Sequence, residues 1–178
     1  MDKLNASNMV LRYFLGDKDV IKERFDILID FLRRSGIRRV ILFSAPFAET
    51  SSILSEEYYK NHVELIKPYV EKLKNMGVET GINVLHTNGH CFYADEEEFG
   101  FRRAVTLNGE PSRGCVCMLD EAFLEYVKRI YKYYASLNPS VIFTDDDIRM
   151  ISLGQFICLC PEHIKAISKR VGRNLDFE

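Results

Sequence analysis

Val40-Ile41-Leu42-Phe43-Ser44-Ala45-Pro46 reads as a short, continuous apolar run stopped by a proline, the pattern of a β-strand buried on both faces of a parallel sheet. Upstream of it, Ile21, Phe25, Leu28 and Leu32 recur at three- and four-residue intervals behind Asp17 and Asp19, either of which can cap a helix, and Gly36 supplies a terminator. Further upstream, Met9-Val10-Leu11-Arg12-Tyr13-Phe14 is strand-like and closed by Gly16-Asp17. Strand, helix and strand form a βαβ unit.

Downstream the pattern repeats. Tyr59, Val63, Ile66, Val70 and Leu73 mark an amphipathic helix ended by Gly77, and Gly81-Ile82-Asn83-Val84-Leu85 follows as a third strand. Periodicity is lost between Thr87 and Met118. Asp120 then opens a helix with Phe123, Val127, Ile130 and Tyr134 on one stripe, which leads to the strand Val141-Ile142-Phe143-Thr144. A last helix begins at Pro161 and stops at Gly172. About four βα units with short links imply an α/β fold with a parallel sheet and right-handed crossovers. Two closures satisfy this: the N-terminal half of a (β/α)8 TIM barrel, since a full barrel needs about 250 residues, or a doubly wound open sheet.

The chain has 178 residues, with 24 Lys and Arg against 26 Asp and Glu and a formal charge of -2. Hydrophobic residues make up 47%, enough for a core and too many for a disordered chain. The even charge balance, with no basic run, argues against a nucleic-acid partner, and the apolar runs are too short to cross a membrane. The first seven residues show no apolar signal segment, and five cysteines are an odd number, so the expectation is a reducing, cytoplasmic setting with thiols or metal ligands in place of a disulfide framework. Walker, dinucleotide-binding and nucleophile-elbow motifs are absent from the sequence.

In either architecture the loops after the strands' carboxyl ends form the site face, and unusual polar residues collect there. Ser44, Ala45, Pro46 and Glu49 follow the second strand; His86, Thr87, Asn88, Gly89 and His90 follow the third; Asp145, Asp146, Asp147, Ile148 and Arg149 follow the fourth. Three adjacent carboxylates repel one another, which raises at least one pKa unless a cation or Arg149 compensates, as a catalytic acid requires; the alternative is a turn cap with two solvated neighbours. Strand alternation groups Asp146 with Ile142 and Thr144, and the polar Thr144 favours Asp146 as the residue facing a cleft. His86, Asn88 and His90 are placed either to contact a polyhydroxylated ligand or to satisfy their own loop. Asp95-Glu96-Glu97-Glu98 with Arg102-Arg103 reads as a solvated loop with local charge pairing.

Cys158-Leu159-Cys160-Pro161-Glu162-His163 opens a helix with two thiols and an imidazole, a donor set suited to zinc, and Cys115-Val116-Cys117 is a second close pair. The alternative is a cluster of buried free cysteines.

Together, Val40 to Pro46, Gly81 to Leu85, Cys117-Met118-Leu119-Asp120, Val141 to Arg149 and Cys158-x-Cys160-Pro161-x-x-His163 resemble the N-terminal half of glycoside hydrolase-like TIM-barrel proteins, over Val10 to Gly172. The resemblance implies one partial-barrel domain over residues 1–178, a carbohydrate ligand and no required cofactor. It places a catalytic or substrate-binding carboxylate at Asp145, Asp146 or Asp147; Arg149, His86, Asn88, His90 and Glu49, by their positions on the loop face, are the expected substrate contacts. Glycoside hydrolysis needs a second carboxyl group, which such barrels take from a later strand. The expectation is therefore a fragment completed by a C-terminal half or by a second copy of the chain, or a non-catalytic carbohydrate- or metal-binding remnant.

Overall fold

The computed structural model describes residues 8–43, 54–84, 100–144 and 158–175. In chain order the elements are β1 (Val10–Phe14), α1 (Ile21–Ser35), β2 (Arg39–Phe43), α2 (Glu56–Asn75), β3 (Glu79–Val84), β4 (Arg103–Val105), β5 (Pro111–Val116), α3 (Glu121–Ala135), β6 (Ile142–Thr144) and α4 (Pro161–Val171). The chain divides into two compact units. The first comprises residues 1–49, 54–85 and 129–145, and the second comprises residues 50–53, 86–128 and 146–178. Among the described residues no helix is long and apolar enough to cross a membrane.

The first unit is built on a four-stranded, all-parallel sheet in the order β1-β2-β3-β6. The α/β class expected from the βα repeats is thus observed. Register places Tyr13, Leu42 and Ile82 on one face, where the Tyr13 hydroxyl donates to the Arg24 carbonyl of α1 at 2.7 Å. This is the buried face: Val40, Leu42, Ile82 and Val84 are almost fully covered. The apolar stripes of α1 (Phe25, Leu28, Leu32) and α2 (Tyr59, Val63, Ile66, Val70, Leu73) are buried as their spacing requires.

The opposite face differs from the expectation for β2. Ile41 and Phe43 are only half-buried, while β3 is covered on both sides from Thr80 to Val84. Phe43 is screened locally instead, by the Phe14 ring 5.3 Å away and the Arg12 guanidinium 4.3 Å above it. At the far edge Val141 is 46% and Phe143 42% exposed. Gly81 is fixed by close approach rather than by a turn: a Cβ there would come within 2.6 Å of Val141 Cγ1.

Helix boundaries follow local chemistry. Asp17 does not cap α1 directly; its carboxylate accepts from the Asp19 and Val20 amides in the turn before the helix, and its carbonyl accepts from Ile21. Ser55 caps α2 through the Tyr58 amide, and Gly36 adopts the left-handed conformation that ends α1.

In the second unit β4 and β5 pair antiparallel, in a stretch where the sequence shows no periodicity. The hairpin turns at Thr106-Leu107-Asn108-Gly109, where the Gly109 amide donates to the Thr106 carbonyl and Gly109 holds a φ of 78°. Asp120 caps α3 by accepting from the Phe123 amide at 3.1 Å. Pro161 occupies the first turn of α4, and Gly172 closes it with a φ of 71°.

Within the first unit, α2 carries a buried histidine. His62 Nδ1 and the Tyr134 hydroxyl share a 2.7 Å hydrogen bond, with the Tyr58 ring stacked alongside. Burial pushes the His62 pKa down to about 4. Below the unfolded value near 6.5 the unfolded chain takes up a proton that the folded chain refuses, so this contribution to stability is complete above that pH and is lost as pH falls towards 4. The full difference, reached only below pH 4, is on the order of 3 kcal/mol. Urea denaturation at pH 7.5 and pH 5 is expected to show lower stability at pH 5, with the difference shrinking in His62→Gln; an undiminished difference in that variant contradicts the assignment.

Candidate metal centre

The second unit contains a pocket of sulfur. Cys115, Cys117, Cys158 and Cys160 are each at most 2% exposed and pack with Ala104. All four are free thiols. Three of them, with His163, place one ligand atom each within 4.8 Å of all the others. Cys117 Sγ lies 3.7 Å from Cys160 Sγ and 3.5 Å from His163 Nδ1, and Cys160 Sγ lies 3.3 Å from the same nitrogen. A tetrahedral ion with metal–sulfur bonds near 2.3 Å and metal–nitrogen bonds near 2.05 Å has sulfur–sulfur edges of about 3.8 Å and sulfur–nitrogen edges of about 3.6 Å. The three separations among Cys117, Cys160 and His163 are close to these edges and the Cys158 sulfur is within 4.8 Å of each, so the four groups could bind a metal.

Local structure explains the convergence. β5 ends at Val116, so Cys117 is the first residue free of the strand, and its amide donates to the Arg102 carbonyl at 2.8 Å. Cys115 lies inside β5, its amide bonded to Ser112 Oγ, and it does not join the ligand set. Cys158 is tied to β4: its sulfur accepts from the Val105 amide at 3.3 Å, and the neighbouring Leu159 amide donates to the Val105 carbonyl. Cys160 stands at the N-cap of α4, where the helix dipole favours a thiolate, and His163 lies one turn on, directed to the same point.

The electrostatics disfavour free thiolates. Burial pushes the Cys160 thiol up to about 12 and raises Cys117 as well, although the Leu119 amide beside the latter acts in the opposite sense. Burial, helped by the Arg102 charge, lowers the His163 pKa, so its imidazole is neutral and available as a ligand. Without a cation these thiols hold their protons; a metal must displace them on binding.

Cys158, Cys160 and His163, the metal set expected from sequence, are therefore brought together, and Cys117 joins them as a fourth donor. The sequence showed the Cys115–Cys117 pair but not which member turns inward. The Arg102 side chain finds its partners in Glu162 and the Leu119 carbonyl, both outside the acidic run at 95–98. The remaining expected site residues, Glu49, His86, Asn88, His90, Asp145, Asp146, Asp147 and Arg149, lie outside the described residues, as do the acidic residues at 95–98. The strands that precede these segments, β2, β3 and β6, run parallel and so end on one edge of the sheet. No protein-family model matches the chain, and no curated protein matches it significantly.

Proposed function

We propose that Cys117, Cys158, Cys160 and His163 bind one zinc ion and that this ion has a structural part in the second unit. The reading is carried by the separations of 3.7, 3.5 and 3.3 Å among Cys117, Cys160 and His163, which approximate three of the six edges of a zinc tetrahedron, with the Cys158 sulfur within 4.8 Å of each. Soft thiolates with one imidazole select zinc over magnesium or calcium, which prefer oxygen. Four protein donors fill the shell and leave no position for water or substrate, the pattern of a structural ion rather than a catalytic one. α4 has the greater need of such a tie, because none of its residues is fully buried. Hydrogen exchange on the full chain, with zinc and after chelation, is the test. α4 amides should exchange roughly tenfold faster or more without zinc while β2 and β3 are unchanged; α4 protection that is indifferent to zinc contradicts a structural role.

A second reading concerns the parallel sheet. We propose that the chain is a glycoside hydrolase-like half barrel whose carbohydrate site draws on the segments following β2, β3 and β6. Asp146, flanked by Asp145 and Asp147, serves as acid or sugar anchor, with Arg149 orienting its carboxylate and Glu49, His86, Asn88 and His90 contacting hydroxyls. What favours this reading is the strand order, which follows the chain without reversal as successive barrel strands do; a doubly wound sheet reverses at a switch point. The exposed apolar residues Val10, Val141 and Phe143 fit a sheet that a second copy or a C-terminal half would complete. In the completed protein Asp146→Asn should lower turnover of aryl glycosides by a factor on the order of 100 or more, without loss of folding. Unchanged turnover rejects that role for Asp146, and sugar binding without turnover by the unsubstituted protein favours a non-catalytic remnant.

A further inference from the structure

The four donors come from two separate stretches: Cys117 follows β5, and Cys158, Cys160 and His163 lead into α4. One residue outside the set touches both. The Arg102 backbone holds the first stretch, its carbonyl accepting from Cys117 at 2.8 Å and its amide donating to Asp120 Oδ2 at 2.6 Å. Its guanidinium then spans the two: one nitrogen donates to the Leu119 carbonyl at 3.0 Å, and the other pairs with Glu162 Oε1 of α4 at 2.8 Å. Its charge is within electrostatic reach of Cys117 and Cys160.

Charge counting shows what this position does. Three thiolates and a neutral imidazole around a divalent ion leave a net charge of −1, next to the carboxylate of Glu162. A buried negative centre of this kind is costly unless an opposite charge faces it. Arg102 supplies that charge, and its planar fork satisfies two acceptors on different elements at once, which a lysine cannot do with the same geometry.

We propose that Arg102 is the positioning residue of the metal centre: it clamps the Cys117 turn to the first turn of α4 and offsets the thiolate charge, and so sets how tightly the ion is retained. This inference rests on the zinc reading above and concerns residues outside the ligand set, whose loss in metal sites costs roughly 10–100-fold in affinity.

The test uses the full chain loaded with zinc, with release followed by a chromogenic chelator in excess, for the unsubstituted protein and for Arg102→Gln, Arg102→Lys and Glu162→Gln. Arg102→Gln should release zinc about 10–100-fold faster, Arg102→Lys should fall between it and the parent because charge is restored without the fork, and Glu162→Gln should lose only the α4 arm and change least. The melting temperature should fall further in the zinc-loaded form of Arg102→Gln than in the metal-free form, a split that a purely structural residue would not produce. Equal release rates in parent and Arg102→Gln, or equal losses of melting temperature in the loaded and metal-free forms, overturn the assignment. A parent chain that takes up no zinc overturns the metal reading itself, which separates the two failures.

Discussion

The second unit draws three sulfurs and one ring nitrogen to within 4.8 Å of one another, an arrangement that could bind a metal. Its buried cluster is mostly cysteine, with Ala104 as companion and Val105 packed against it, and α4 contributes no fully buried side chain. Apolar side chains are buried in the same unit, among them Val116, Phe123, Tyr126 and Leu159, and a bound metal would add a staple between stretches distant in sequence. A coordinated ion would link the end of β5 to the start of α4 more strongly than thiol–thiol contacts do. It would also relieve the crowding of three buried thiols and a half-buried imidazole.

The first unit rests on different physics. Its sheet and helices are joined by apolar burial, with Val40, Leu42, Ile82 and Val84 beneath helical stripes spaced at three and four residues. Short-range devices refine it: the Asp17 turn before α1, the Ser55 cap on α2, and the missing side chain at Gly81 that admits Val141. The chain thus combines a unit built on a parallel sheet with one that gathers three buried cysteines and a histidine.

These two regimes explain what could be read from sequence. The parallel strands and amphipathic helices were legible because each carries a run or period of apolar residues, and Gly36, Gly77 and Gly172 mark helix ends through their positive φ. The β4–β5 hairpin was not, because β4 has three residues and β5 includes Pro111, Ser112 and Gly114, none of them typical strand formers; its cue was Asn108-Gly109 at the turn. For the centre, Cys158, Cys160 and His163 could be named because they are adjacent in sequence. Cys117 could not be told from Cys115, since the choice depends on where β5 ends. Arg102 read only as a member of a locally paired, solvated charge cluster, because its partners Glu162 and Leu119 are distant in sequence.

X-ray absorption at the zinc edge of the full chain tests the account most directly, because it counts ligand atoms without presuming their identity. A first shell of three sulfurs near 2.3 Å and one nitrogen near 2.05 Å, with the outer-shell pattern of one imidazole, is the expected result. A shell of oxygen and nitrogen atoms only, or one with fewer than three sulfurs, would contradict it.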